Sequence, residues 1–429
     1  MLNALGLLRK RRFLPLFVTQ FLGAFNDNLF KQAIVLFATY QIFSDAQAEQ
    51  NFNALATAIG IIPFFVLSAL SGQLADTSDK ARIIRIVKTA EIGIMIFGAA
   101  GVFVAQAGWI NLGLAMMLGA VLLLGTHSTF FGPIKYAILP QHLKEDEVLG
   151  GTGLVEAGTY LSILLGTVIA GWISVEASAI LVIGVAVIGW ITGRMVPAAP
   201  RLGAELKLNY NPITSSWKLV AATMHIRRLF LAILAISFFW TIASVMIVIF
   251  PPLVKNVLTA NERVASLTIA IFSVGVAIGS VVINALLRGK VSAKYAPGSV
   301  IAMGVAVIAL SLEARGWVQA PAGTLYGFYD FITLPRAVGL LLTMLAVAVT
   351  GGMFVVPLYA FLTTTVTKDQ TARTVAANNI VNAGAMTIGA IVVSAVSAAG
   401  VTPEDMLLVV AGMCVLSAWL AWKLHCACD

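Results

Sequence analysis

The sequence predicts an all-α integral membrane protein of roughly twelve transmembrane helices, in two six-helix halves with both termini cytoplasmic. Three observations predict it. Apolar residues fill 59% of 429 positions and charged residues only 11%. Apolar runs of bilayer-crossing length recur along the whole chain, and Lys and Arg crowd into alternate connections. A soluble domain carries about 25% charged residues because it must wet a large surface, so most of this chain's perimeter faces lipid. A bilayer core of about 30 Å takes about 20 helical residues per crossing. Barrel strands would instead alternate in polarity over about ten residues. Runs such as Ile34-Val35-Leu36-Phe37-Ala38 and Ile180-Leu181-Val182-Ile183 do not alternate.

Taken in order, the expected spans are 14–43, 52–74, 83–105, 109–136, 148–173, 177–196, 229–254, 264–287, 299–312, 337–362, 374–399 and 403–423. The basic start, Arg9-Lys10-Arg11-Arg12, precedes an apolar stretch too long for a signal-peptide core and without a small-residue cleavage site. It is read as a retained first span. The ninth span is the shortest, and its end is expected to extend toward Trp317. The connection 197–228, rich in Pro, Asn and Ser, reads as a cytoplasmic linker between an N-terminal bundle (1–196) and a C-terminal bundle (229–429).

Loop charge tests this order. With the N-terminus inside, 21 of the 27 Lys and Arg residues fall in cytoplasmic segments. The outside loops hold four, Lys255, Arg263, Arg315 and Arg336, and the spans hold Lys31 and Lys135. Cytoplasmic enrichment in short loops is the expected bias, and one missed span would scramble it. The net charge of +8 is therefore a matter of topology and anionic lipid, with no nucleic-acid partner implied. Cys414, Cys426 and Cys428 cannot make a secreted-type disulfide framework. His425 with the last two cysteines reads as a small-residue tail, and neither a metal nor a cofactor is expected.

An internal repeat divides the spans. Gly132-Pro133-Ile134-Lys135-Tyr136-Ala137 closes span four, and Val356-Pro357-Leu358-Tyr359-Ala360 closes span ten. Val155-Glu156-Ala157-Gly158 in span five is echoed by Val381-Asn382-Ala383-Gly384 in span eleven. Paired halves of this kind resemble the major facilitator arrangement.

Five charged residues remain inside spans: Asp27, Lys31, Glu91, Lys135 and Glu156. Each costs about 2.5–3.5 kcal/mol at a span centre on insertion scales, so they should face a polar cavity or one another. Asp27 lies about 18 Å into span one at about 1.5 Å per residue, near the midplane. Lys31 is one turn further on the same face, where the two can pair. Lys135 can pair with Glu91 or Glu156, or snorkel from a helix end. Glu91 reads first as a packing anchor for Arg85 or Lys88, and His127 as a hydrogen-bonded packing histidine. In the second half the expected cavity groups are neutral: Tyr359, Asn378, Asn379 and Asn382. A molecule with a zwitterionic or anionic head and a greasy tail suits that imbalance.

Between spans two and three, Gly72-Gln73-Leu74-Ala75-Asp76-Thr77-Ser78-Asp79-Lys80-Ala81-Arg82 resembles the signature loop of major facilitator transporters. Gly72 would allow close helix contact, Asp76 would hold a helix N-terminus, and Lys80 and Arg82 supply the basic partners of a gate. The equivalent stretch in the second half, 284–294, keeps only Arg288 and Lys290 of that pattern.

Two stretches go further. Gln20-Phe21-Leu22-Gly23-Ala24-Phe25-Asn26-Asp27-Asn28 resembles the first-span motif of the lysophospholipid transporter family. Gly132 to Pro140, followed by Gly153-Leu154-Val155-Glu156-Ala157, is similar to that family's span four to five segment. The resemblance implies a flippase of the bacterial inner membrane that moves lysophospholipids, such as lysophosphatidylethanolamine, to the cytoplasmic leaflet for reacylation. It carries functional roles to Asp27 and Lys135, while Trp240 to Ile249 lacks the arginine that relatives carry in span seven. Some relatives are fused to acyltransferase and acyl-carrier-protein ligase domains, so the resemblance implies such an enzyme here either as a separate chain or as a further part of a longer fusion. The expected head-group contacts are Asp27, Asn28, Lys31, Lys135 and Tyr136, with Glu156 orienting Lys135, in a monomer.

Enzyme activity is not expected. The chain has no Gly-x-x-x-x-Gly-Lys-Ser/Thr phosphate loop and no His-x-x-x-x-Asp acyltransferase pair. Two other readings stay open: an ion-coupled exporter of small or amphipathic solutes with Asp27 as the proton site, and a membrane scaffold or sensor.

Overall fold

The structure, a computed structural model, describes residues 6–200, 211–287, 292–364 and 368–428. Twelve long helices follow the expected spans in order. They are α1 Leu14–Phe37, α2 Ala46–Thr77, α3 Lys80–Gln106, α4 Ile110–Ala137, α5 Glu145–Trp172 and α6 Val175–Arg194. The second set is α7 Arg227–Pro252, α8 Glu262–Leu287, α9 Ala296–Arg315, α10 Pro335–Thr364, α11 Lys368–Ala398 and α12 Pro403–Cys428. Among the described residues the one β pairing outside helices is a bridge between Ala260 and Tyr326.

Among the described residues, ten of these helices are long and apolar enough to cross a membrane. The other two are α1 and α5. Composition sets α1 apart, since it carries Asn26, Asp27, Asn28 and Lys31 in its middle; the described apolar part of α5 is Ala157–Trp172. A helix can hold such residues in a membrane when its polar face turns toward other helices rather than lipid.

The expected boundaries differ most at the starts of α2 and α11, which begin at Ala46 and Lys368 rather than at 52 and 374. Hydropathy marks the lipid-immersed stretch, whereas helical hydrogen bonding continues into the polar flank. Three short helices were not expected: Leu139–His142, Pro212–Met224 and Phe328–Thr333. None contains a long apolar run, so periodic hydropathy had little to detect.

The repeat is visible in helix ends. α1 runs into a π-helical turn, Ala38–Ile42, and α7 runs into another, Leu253–Val257. Pro133 sits inside α4 and Pro357 inside α10.

The chain forms two compact units. One is Met1–Ile34 with Ile62–Ser215, and the other is Val35–Ile61 with Ser216–Asp429. In the first, α3 packs against α4 and α6. A Cβ placed on Gly113 would stand 2.5 Å from Ala105 Cβ, so only glycine lets α3 and α4 approach this closely. Gly166 of α5 does the same for α1, where an added Cβ would meet the Phe25 carbonyl at 2.6 Å. Phe13, Leu16, Ile84, Ile134 and Val155 form one apolar cluster of this unit.

In the second unit, α7 is central: 78% of its most apolar stretch is buried, against 33–50% for the other nine apolar spans. α8 meets α10 through small residues, and a Cβ on Gly352 would stand 3.0 Å from Val276 Cα. The ends of α1 and α2 that join this unit are tied to it chiefly at Lys255 and Asn256. Lys255 Nζ donates to the Phe43 carbonyl at 2.8 Å and to the Thr39 carbonyl, and pairs with the fully buried Glu49 at 2.5 Å. Asn256 Nδ2 donates to the other Glu49 oxygen at 2.6 Å.

Candidate functional site

In the first unit three helices assemble one buried ionic cluster. Lys88 and Glu91 stand one turn apart on α3, and Lys88 Nζ lies 2.5 Å from Glu91 Oε2. From α1, Asn26 Nδ2 donates to Glu91 Oε1 at 3.0 Å. From α4, His127 Nε2 lies 3.1 Å from Glu91 Oε2, and the imidazole stacks on Phe131 with ring centroids 6.4 Å apart. Lys88 Nζ is also 5.3 Å from the Phe131 ring centroid, within cation–π range.

The lysine fits because glycines leave it a slot. A Cβ on Gly23 of α1 would stand 2.5 Å from Lys88 Nζ, and a Cβ on Gly193 of α6 would stand 3.3 Å from its Cγ. A charge taken this far from water needs a full complement of partners. Here the Glu91 carboxylate and the Phe131 face supply it, and the Asn26 amide in turn supports the carboxylate.

Beside the cluster, Ser128 of α4 donates to Asp27 Oδ2. Asp27 Oδ1 is buried and has no hydrogen-bond partner among the described residues. The expected Asp27–Lys31 ion pair is not formed: the facing serine, one helix across, takes the carboxylate instead. The Asn28 amide turns back on its own helix, donating to the Ala24 carbonyl at 2.8 Å.

Lys135 Nζ lies 3.4 Å from Thr159 Oγ1 of α5, which in turn lies 3.0 Å from Gln20 Oε1 of α1. Gly158 makes room for that glutamine, since a Cβ there would stand 2.9 Å from Gln20 Nε2. The side chains of Asp76, Tyr136 and Glu156 lie outside the described residues.

The loop between α2 and α3 is built differently from expectation. Asp79 is the helix cap: its Oδ1 accepts from the backbone N–H groups of Ala81 at 2.8 Å and Arg82 at 3.2 Å. The same oxygen takes the Ala199 N–H at 3.4 Å, and Lys80 N–H donates to the Ala199 carbonyl at 3.0 Å. The aspartate directly before a helix is the one placed to accept those bonds, which Asp76, inside α2, is not. Among the described residues, nothing lies within 4 Å of a Cβ placed on Gly72. Lys80 is buried, and Arg82 is exposed. The counterpart cations Arg288 and Lys290 lie outside the described residues.

The second unit carries an uncharged polar chain. Ser237 donates to Asn382 Oδ1 at 2.7 Å, Trp240 Nε1 donates to Tyr359 Oη at 2.7 Å, and Asn382 Nδ2 reaches the same oxygen at 3.4 Å. Asn378, one turn before Asn382, is fully buried with neither amide atom partnered among the described residues. Asn379 is exposed.

The structure thus brings Glu91 and His127 together, and Tyr359 with Asn382. Of the two basic partners expected for Glu91, it is Lys88 that pairs with it. The structure adds Asn26, Ser128 and Trp240, which sequence reasoning did not single out. Asn26 stands inside the first-span motif, so a signal existed. Among the described residues no group of three His, Cys, Asp or Glu could hold a metal ion.

Comparison with known proteins gives a family, two relatives and two solved structures. The family model of the Major Facilitator Superfamily matches residues 16–390. The lysophospholipid transporter LplT of Cronobacter sakazakii is 25% identical over 385 residues, 88% of this chain and 85% of that protein. The LplT of Klebsiella pneumoniae is 25% identical over 359 residues, 81% and 79% of the two chains. Among solved structures, a bacterial homologue of the iron transporter ferroportin aligns with a TM-score of 0.68 at 14% identity, covering 97% of this chain and 98% of that one. The nucleoside transporter NupG aligns with a TM-score of 0.65 at 14% identity, covering 97% of this chain and 99% of its own. At such identities the structures speak to the fold.

Proposed function

This chain belongs to the Major Facilitator Superfamily, and on that premise we propose that it carries lysophospholipids across the inner membrane it spans. The observation that carries the proposal is the unequal polarity of the two units. One holds Asp27, Lys31 and Lys135 within helices, and the other offers the neutral chain of Ser237, Trp240, Tyr359 and Asn382. A head group with an ammonium and a phosphate meets Asp27 through the first charge and Lys31 or Lys135 through the second. The single acyl tail finds the apolar helix faces. The LplT relatives, aligned over four-fifths or more of this chain, support the same class of substrate.

The transport direction in this proposal is toward the cytoplasmic leaflet, by alternating access, with a separate acyltransferase restoring the second chain. The test is reconstitution in vesicles with labelled lysophosphatidylethanolamine. Wild-type protein is expected to move the label between leaflets, and Asp27→Asn and Lys135→Ala to slow it by about 10- to 150-fold each, the loss of one charge-assisted contact of about 1.5–3 kcal/mol. Wild-type flipping rates in both variants would remove the proposed contacts, and transport of a soluble solute without lysolipid would remove the substrate class.

A second reading is favoured by one observation. Asp27, Glu91 and His127 place three titratable groups in one buried region, which suits an ion-coupled exporter. A pH gradient that drives uptake or release of the substrate in the same vesicles would support coupling.

A further inference from the structure

A pocket in the second unit, remote in sequence from the charged residues of α1, α3 and α4, has an ionic character of its own. α7 opens with Arg227 and Arg228, and α12 closes with Trp422, Lys423 and Cys426. Six crossings separate these ends, so they return to one membrane face. Together they line a pocket of about 410 Å³. Among the described residues no carboxylate pairs with Arg227, Arg228 or Lys423. The first turn of α7 has no side-chain cap, so its free N–H groups add to the positive potential.

Two further features set its depth. Trp419 and Trp422 are 52% and 56% exposed, and Lys423 Nζ lies 3.7 Å over the Trp419 ring. Exposed tryptophans at a span end mark the interface between hydrocarbon and water. The helix Pro212–Met224 leads through His225 and Ile226 directly into Arg227. It turns Ile213 and Trp217 outward, 75% and 74% exposed, and buries Ser216 and Thr223. That is the reverse of a water-facing helix and the pattern of one lying in the bilayer surface.

We propose that this pocket holds the phosphate head group of an anionic bilayer phospholipid, such as phosphatidylglycerol. The three cations take the phosphate, Trp422 packs on the glycerol region, and the acyl chains follow the outer faces of α7 and α12. Those faces are apolar where they leave the pocket, with Phe230, Val415 and Leu416 exposed. A free phosphate would gain the charge contacts but not the apolar ones. A zwitterionic lipid would bring its own ammonium against three like charges.

Cys426 lines the pocket as an exposed free thiol and reports on its occupancy, whereas Cys414 is buried. The experiment uses the full chain in detergent with Cys428→Ser, and follows labelling of Cys426 by a water-soluble maleimide. Phosphatidylglycerol is expected to slow labelling by about fivefold or more, with phosphatidylcholine and inorganic phosphate leaving the rate within about twofold. The triple variant Arg227→Gln/Arg228→Gln/Lys423→Gln is expected to raise the half-protecting lipid concentration by about tenfold. Arg9→Gln/Arg11→Gln, which removes two exposed cations elsewhere, is expected to keep full protection. Equal protection by phosphatidylcholine, protection by inorganic phosphate, undiminished protection in the triple variant, or its loss in the Arg9/Arg11 variant would each overturn the site.

Discussion

Lys88 Nζ sits 2.5 Å from Glu91 Oε2 on α3, with both side chains closed to solvent at 0% and 1% exposure. Asn26 and His127 complete the carboxylate's surroundings from two other helices. A buried pair of this kind need not add net stability, but removing one partner strands the other. Glu91→Ala is therefore expected to cost about 3–5 kcal/mol. The double variant Lys88→Met/Glu91→Leu, which removes both charges and keeps the volume, is expected to recover most of that loss. Thermal unfolding in detergent measures both, and a double variant no more stable than Glu91→Ala would contradict the argument.

Helix approach in the second unit depends on glycine at a backbone contact. A Cβ on Gly279 would strike the Val349 carbonyl and stand 3.0 Å from Met353 N. Gly279→Ala should force α8 from α10 and cost about 1–3 kcal/mol. Gly72→Ala, with nothing within 4 Å of the new carbon, should stay within about 0.5 kcal/mol of wild type. Paired thermal melts of the two variants decide whether the crossing or mere helical glycine content matters.

The cap at the start of α3 makes a third case. Asp79 accepts two N–H groups of the first turn and holds Ala199 beside it. Asp79→Ala is expected to cost about 0.5–2 kcal/mol, and Asp79→Asn, which keeps an acceptor oxygen, clearly less. Equal losses in the two variants would assign the effect to charge rather than to capping.

Glu147 gives a pH dependence outside the spans. The Lys10 ammonium and the Lys144 N–H bond its carboxylate, Arg12 adds a bidentate contact at 2.8 and 2.6 Å, and together they hold its pKa down from 4.5 to about 2. A carboxyl whose folded pKa is depressed stabilises the fold at pH above its unfolded value. That contribution is complete above about pH 5 and fades as the pH falls from about 4.5 to about 2. Glu147→Gln should flatten this segment of the stability curve, as read by melts at half-unit pH steps. A variant with the wild-type slope there would exclude Glu147 as the source.

Much of the architecture was legible in the residues. Apolar runs located all twelve helices, because lipid demands about 20 apolar positions wherever a helix crosses. Pro133 and Pro357, and the Glu156 and Asn382 stretches, were enough to expose the repeat. The site was legible only in part. Asp27 stood out because a charge in an apolar run is costly wherever it points. Its partner did not, since Ser128 lies on another helix and nothing local announces it. Asp79 and Asp76 are both plausible caps in the linear sequence, and only the start of α3 at Lys80 chooses between them.

By itself, then, the sequence determined the class, the order of the spans and the uneven distribution of charge, because these follow from the free energy of placing each residue in lipid or water. Tertiary structure decided the pairings: Asn26 and His127 with Glu91, Asp27 with Ser128, and Lys255 with Glu49. Those depend on which helix faces meet, and a short-range interaction of a few ångströms between residues far apart in the chain is set by packing, not by local pattern.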